Sequence, residues 1–199
     1  MVSKNKIIAQ RIVKILAYLK SKREDSIRQV SLGAKLSYNS CYNTILELSE
    51  EGIVSIIKKN GVNYCSLSSS EKAKLLLAYL SLLEKESFLE NKIILKKIVS
   101  ELLVAKQSFD VLALFGSYAK GTSQKNSDID FFCISNDSQK IKLLARHLSL
   151  KYGKNIQVVM SNKEDFLEML KENKVNVGTE VVETGIILYG YENYWSLVK

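Results

Sequence analysis

The stretch that most constrains the fold runs from Val111 to Ser135. Val111-Leu112-Ala113-Leu114-Phe115 is a short, uninterrupted apolar run stopped by Gly116, the pattern of a strand buried on both faces. Gly116-Ser117 breaks it into a turn or short helix. Ser127 then leads into Asp128-Ile129-Asp130-Phe131-Phe132, the head of a second strand. Side chains two apart on a strand share a face, so Asp128 and Asp130 project together. Two adjacent carboxylates each raise the cost of ionising the other. A hard divalent cation resolves that conflict, since Mg²⁺ takes carboxylate oxygens and leaves positions for water and phosphate. Beside it, Gly116 lets backbone approach a ligand, and neighbouring N–H groups with the Ser117 hydroxyl can hold phosphate oxygens. The pattern reads as a site for a nucleoside triphosphate with Mg²⁺ or Mn²⁺.

Phe115-Gly116-Ser117, ten intervening residues, then Asp128-Ile129-Asp130-Phe131 resembles the signature of the DNA polymerase beta-like nucleotidyltransferases. It is most similar to the minimal, archaeal-type branch, through Gly116, Ser117, Gly121, Ser127, Asp128 and Asp130. The ending TGIILYGYENYWSLVK resembles the tail of archaeal stand-alone members. The resemblance implies a transfer in which an acceptor hydroxyl attacks the α-phosphorus of a nucleoside triphosphate and expels pyrophosphate. It assigns Asp128 and Asp130 to the metal and to catalysis, and Gly116, Ser117 and Ser127 to the nucleotide. It also implies a third acidic residue on a later strand, where this chain has Gln157. An amide cannot accept a proton; Glu164, Asp165 or Glu180 are the carboxylates that could stand in. Turnover is thus open, and a nucleotide-sensing DNA-binding regulator with an inactive domain is the alternative. Some minimal relatives act as antitoxins that add AMP to a HEPN-type toxin, but no toxin-like segment is fused here.

The first third of the chain has a different character. Residues 1–70 carry eleven Lys/Arg against five Asp/Glu, or +6, and the remainder eighteen against sixteen, or +2, which together make the net +8. A basic segment beside a near-neutral one points to a polyanion partner. Lys6 to Lys20 carries a helical apolar stripe (Ile8, Ile12, Ile15, Leu19), Ser26 to Leu36 a shorter one, and a third helix is expected from about Ser40 to Glu51. Two alternating apolar runs, 53–57 and 62–67, flank Lys58-Lys59-Asn60-Gly61, and Asn-Gly between such runs marks a hairpin. Three helices and a basic hairpin resemble a winged helix-turn-helix. That resemblance implies that Ser40, Tyr42 and Asn43 on the third helix, and Lys58 and Lys59 on the wing, face duplex DNA.

From Ser70 to Lys106 there is neither glycine nor proline, and the apolar positions (Leu75, Leu76, Leu77, Leu80, Leu83) cover more than one stripe. This predicts one long helix, or two kinked near Ser87, that connects the domains and pairs the chain as a homodimer. Ser138 to Tyr152 and Lys163 to Glu172 are expected helices, and Asn155 to Met160 a strand.

The whole is an α+β protein: a winged helix-turn-helix domain (1–69), a connecting and dimerisation helix (70–106), and a small mixed-sheet nucleotidyltransferase domain (107–199). At 46% hydrophobic and 25% charged residues the composition is that of an ordinary globular protein. Neither a leader pattern nor an apolar run near the ~20 residues of a membrane span appears, so the expectation is cytoplasmic, with no membrane partner. Cys41, Cys65 and Cys133 are expected to be buried thiols, and His147, the only histidine, leaves no room for histidine-based metal or triad chemistry.

Overall fold

A computed structural model of the chain describes residues 8–20, 22, 24–135, 139–172 and 174–199. The chain divides into two compact units, residues 1–80 with Lys199, and residues 81–198. No helix among the described residues is long and apolar enough to cross a membrane.

The first unit runs α1 (Gln10–Lys20), β1 (Asp25–Ser26), α2 (Ile27–Gly33), α3 (Tyr38–Glu50), β2 (Val54–Lys59) and β3 (Val62–Leu67). The strands form one antiparallel sheet in the order β1-β3-β2. Serines set the helix starts: the Ser26 and Ser37 hydroxyls accept from the Gln29 and Ser40 N–H groups, satisfying orphan donors. Because Ser37 is the cap, α3 begins at Tyr38, two residues earlier than the sequence predicts. Asn60 and Gly61 both have positive φ (49° and 80°), as a two-residue hairpin turn requires. Lys59 therefore faces Val62 in register. Ile15, Leu16, Leu19, Val30, Cys41, Ile45 and Val54 are buried and tie the helices to the sheet. The start expected for the first helix, at Lys6, lies outside the described residues.

The expected connecting segment is two helices, α4 (Glu71–Leu89) and α5 (Ile93–Leu102), followed by a 3-10 turn over Leu103–Ser108. The break falls at residues 90–92 rather than at Ser87. Lys92 adopts a non-helical backbone there, and its ammonium donates to the Phe88 carbonyl at 2.8 Å, closing the first helix.

The second unit continues with β4 (Val111–Phe115), α6 (Gly116–Lys120), β5 (Ile129–Ile134), α7 (Gln139–Tyr152), β6 (Ile156–Ser161), α8 (Lys163–Lys171), α9 (Val177–Thr184), β7 (Ile186–Tyr189) and α10 (Tyr191–Val198). The strands form a mixed sheet in the order β6-β5-β4-β7, with β5 and β6 parallel and the other pairs antiparallel. All five residues of β4 are buried, as its unbroken apolar run implies. Alternation splits the sheet into two faces. On one, Leu112, Leu114, Phe131 and Cys133 join Ile98, Leu102, Ile141 and Leu148 in a common core. On the other, Phe132 meets Phe166 at 5.4 Å between ring centres, and Phe166 meets Tyr194 at 6.3 Å. Asp130 shares this second face, at its open end. The segment from Thr179 to Leu188 changes from helix to strand at Gly185.

Candidate functional site

The site is assembled where β4 ends and β5 begins. Phe115 pairs with Asp130 across the two strands, so the residue after Phe115 sits against the Asp130 side chain. That residue is Gly116, with φ +68°, and a Cβ placed on it would lie 2.7 Å from Asp130 Oδ2. Glycine is needed twice over, for the left-handed backbone and for the space. Gly116 and Ser117 open α6, a single turn closed by Gly121 (φ +71°). The Thr122 N–H donates to the Ser117 carbonyl at 3.0 Å, which fixes the loop's return path.

Asp128 reaches the same edge just ahead of β5. The Ser127 hydroxyl accepts from the Gln124 N–H at 2.8 Å, and the Ser127 N–H donates to the Gln124 carbonyl. Ser127 thereby closes the turn that delivers Asp128. On the other side of β5, Gln157 stands opposite Asp130 in the parallel register. Its Nε2 donates to Asp128 Oδ2 at 2.8 Å. Gln157 thus occupies the position on the neighbouring strand at which the sequence resemblance anticipates a third acid.

Partial burial holds the Asp130 carboxyl above the ordinary aspartate range, and the charges of Asp128 and then Glu180 push it further the same way. Of the three substitute carboxylates, Glu180 is the one that bears on the pair. It projects from α9 and pairs with Lys120 Nζ at 2.7 Å. Glu164 and Asp165 lie exposed in the first turn of α8, where the Asp165 N–H donates to the Asn162 side chain. Among the described residues no three acidic, histidine or cysteine side chains converge as a metal cluster. The donor set is two carboxylates beside the Gly116 turn. That suits Mg²⁺, which is commonly held by one or two carboxylates and completes its shell with water and phosphate. The Lys120–Glu180 pair is legible only once α6 and α9 are brought together. Sixty positions separate the two residues, and no local pattern links them.

In the first unit, Tyr42 is half-buried and its ring stacks on Tyr38 at 5.9 Å. Ser40 is half-buried too, while Asn43 and Lys58 are exposed. Lys59 pairs with Glu24 and lies 5.5 Å from the Tyr64 ring centre. Glu47 on α3 is matched by Arg11 at 3.3 Å. Cys41, Cys65 and Cys133 are buried, and burial raises their thiols to about 11, 12 and 12, so all three are inert as nucleophiles at neutral pH. His147 is exposed on α7.

Residues 96–194 match the family model described as polymerase beta, nucleotidyltransferase. No curated protein matches the chain. Among solved structures, a toxin–antitoxin complex with AMP-PNP is similar at 22% identity, covering 51% of this chain and 81% of that one, with a TM-score of 0.37. Two mutants of an MntA–HpeT toxin–antitoxin are similar at 23% and 24% identity. Each covers 55% of this chain, and 82% and 80% of theirs, with TM-scores of 0.35 and 0.34.

Proposed function

We propose that the nucleotidyltransferase-type domain at residues 96–194 moves a nucleoside monophosphate from a nucleoside triphosphate onto a hydroxyl acceptor. The observation that carries this reading is Asp130 packed against Gly116, with Asp128 beside it: paired carboxylates meet a turn able to hold phosphate. In this reading Asp128 and Asp130 hold Mg²⁺ or Mn²⁺, which neutralises charge on the phosphate oxygens when bound. Gly116 keeps the turn open, and the backbone N–H groups and hydroxyl of Ser117 orient the phosphates. Ser127 sets the height of Asp128. The acceptor oxygen forms its bond to the α-phosphorus as the bond to the bridging oxygen of pyrophosphate breaks. The proton of the acceptor passes to water or to a neighbouring carboxylate such as Glu180, because the Gln157 amide cannot take it.

The same Gln157 supports a second reading, in which the domain binds nucleotide without turning it over and governs a DNA-binding unit. The element order of residues 10–67 and the antiparallel β1-β3-β2 sheet support a winged helix. Asn43 and Lys58, exposed on α3 and on the hairpin, with Ser40, Tyr42 and Lys59 beside them, would meet duplex DNA mainly at its phosphates. The chain acts as a homodimer in either reading, through the apolar positions of residues 71–106.

Incubation with α-labelled ATP, CTP, GTP or UTP and Mg²⁺ separates the two. Label on a macromolecule with release of pyrophosphate is expected of the transferase. Mg²⁺-dependent binding with neither product assigns the domain to sensing.

A further inference from the structure

We propose that α7 docks the chain on an anionic phospholipid surface, laying two exposed leucines into the headgroup layer between two rows of cations. The proposal goes beyond the nucleotide reading of the Gly116–Asp130 edge and does not depend on it.

From Gln139 to Tyr152, α7 reads QKIKLLARHLSLKY and contains no acidic residue. Ile141, Ala145 and Leu148 form its buried side and join the core beneath it. Leu143 and Leu150 each stand two positions from a buried residue, about 160° round the helix from it at 3.6 residues per turn. Being seven apart they form one line on the outer side, where they are 62% and 87% exposed. Lys140, His147 and Lys151 follow one flank of that line, and Lys142 and Arg146 the other, by the same helical spacing. All of these flanking side chains are exposed. Among the described residues, Lys151 has an ion-pair partner in Glu101, while Lys140, Lys142 and Arg146 have none. The 3-10 turn over Leu103–Ser108 packs beside α7 and adds Val104, 83% exposed.

The two parts of this face ask for different surroundings. The cations call for phosphate or carboxylate, and the leucines for an apolar phase. Nucleic acid answers the first alone, since its bases stack on aromatic platforms rather than on aliphatic ridges. A second copy meeting by the same face in a two-fold pair would set cation against cation. A bilayer interface supplies both in the right order, with phosphates at the surface and acyl chains just beneath. Two leucines are a slight anchor, so the contact is reversible and requires anionic lipid. The sequence expectation of no membrane partner concerned leaders and spans, and a surface contact uses neither. Because α7 covers the sheet face opposite to that of Asp130, the nucleotide edge stays open to solution.

The test is flotation of the full chain with vesicles of phosphatidylcholine, alone or mixed with phosphatidylglycerol, at rising salt. Binding is expected with phosphatidylglycerol only and should fall as salt screens it. Leu143→Ser with Leu150→Ser, at exposed positions that leave thermal melting unchanged, should weaken binding about tenfold or more. Lys142→Ala and Arg146→Ala should each weaken it about fivefold, the worth of one cation near an anionic surface. In Leu150→Trp, brominated acyl chains should quench the new indole and spare Trp195, which is 2% exposed. Binding that persists in the leucine double variant, or a new indole that escapes quenching, shows only the general attraction of a basic chain and overturns the proposal. A chain that does not float at low salt overturns it as well. Leucine-dependent binding of poly-glutamate without binding of vesicles assigns the face to an acidic protein, and the lipid reading fails.

Discussion

Gln157 Nε2 donates a 2.8 Å hydrogen bond to Asp128 Oδ2, so the neutral side chain on the neighbouring strand orients the first carboxylate of the pair rather than adding a third. It relieves part of the repulsion between Asp128 and Asp130, and it holds Asp128 in place without supplying a base.

Replacing Gln157 by Asp exchanges a donor for a like charge. In metal-free buffer Gln157→Asp should melt below the parent, and saturating Mg²⁺ should recover the loss, since ligand binding stabilises the folded state. If a missing base limits turnover, label transfer from ATP should rise by about 10²-fold or more, the usual span for general acid–base catalysis. A variant that binds Mg·ATP normally with unchanged transfer would assign the limit elsewhere.

Asp128→Asn and Asp130→Asn should each abolish Mg²⁺-dependent nucleotide binding in calorimetry while leaving the circular dichroism of the parent. The pH dependence of stability has a definite sign. Burial first, then Asp128 and Glu180, raise the folded-state pKa of Asp130. Its protonated form is therefore favoured by folding, and the contribution is full below the unfolded pKa and lost as pH rises through the folded one. In metal-free buffer Asp130→Asn should melt above the parent at neutral pH, and the gap should close as the solution is acidified. A gap that widens towards acid contradicts this.

Gly116→Ala tests the close approach at Asp130. The left-handed backbone alone costs an alanine about 1–2 kcal/mol, and its Cβ would fall 2.7 Å from Asp130 Oδ2. For a chain of this size a loss of 1 kcal/mol lowers Tm by roughly 2–4 °C. The drop in Mg·ATP affinity should exceed that of Gly61→Ala, which meets no neighbour within 4 Å and lies in the other unit.

The DNA reading predicts binding to duplex fragments that weakens steeply with salt, as release of condensed counterions requires. Lys58→Ala should weaken binding similarly across sequences and reduce the salt slope by about one. Lys59→Ala should have the smaller effect, because its ammonium is already engaged by Glu24 and the Tyr64 ring. Affinity independent of salt would remove the case for phosphate contact.

Light scattering at micromolar concentration should give twice the mass of one chain, and Leu76→Glu with Leu83→Glu should halve it. Leu75 is 54% exposed on α4, and Ile93 is 69% exposed on α5. A monomeric parent would leave these apolar side chains as ordinary surface and reject the pairing.

The parts of the fold legible in the sequence are those where a local rule acts alone. Val111 to Phe115 suits a buried strand, and Asn60-Gly61 between alternating runs is a strong hairpin signal. Gly116, Asp128 and Asp130 met because strands joined by a short excursion pair along their length. Other features depend on distant partners. The Asp25–Ser26 strand is too short to show a period and exists because β3 pairs with it. The break at residues 90–92 has no glycine or proline to announce it. The apolar pairs Val181-Val182 and Ile186-Ile187 lie in different elements, a helix and a strand that meet at Gly185. The hydrogen bond from Gln157 and the pair between Lys120 and Glu180 join side chains from separate elements, and nothing local foretells either.

Deep in the second unit, the indole of Trp195 on α10 donates to the Ser81 hydroxyl on α4, 114 residues earlier, at 2.9 Å. Both residues are buried, so the bond joins nearly the first and last residues of this unit. A chain emerging from the ribosome cannot complete the domain until Trp195 is clear of the exit tunnel. Strand β7, which flanks β4, also comes late. The Asp128–Asp130 edge is thus synthesised long before the packing that secures it, and a growing chain stalled ahead of β7 should remain protease-sensitive and dependent on chaperones.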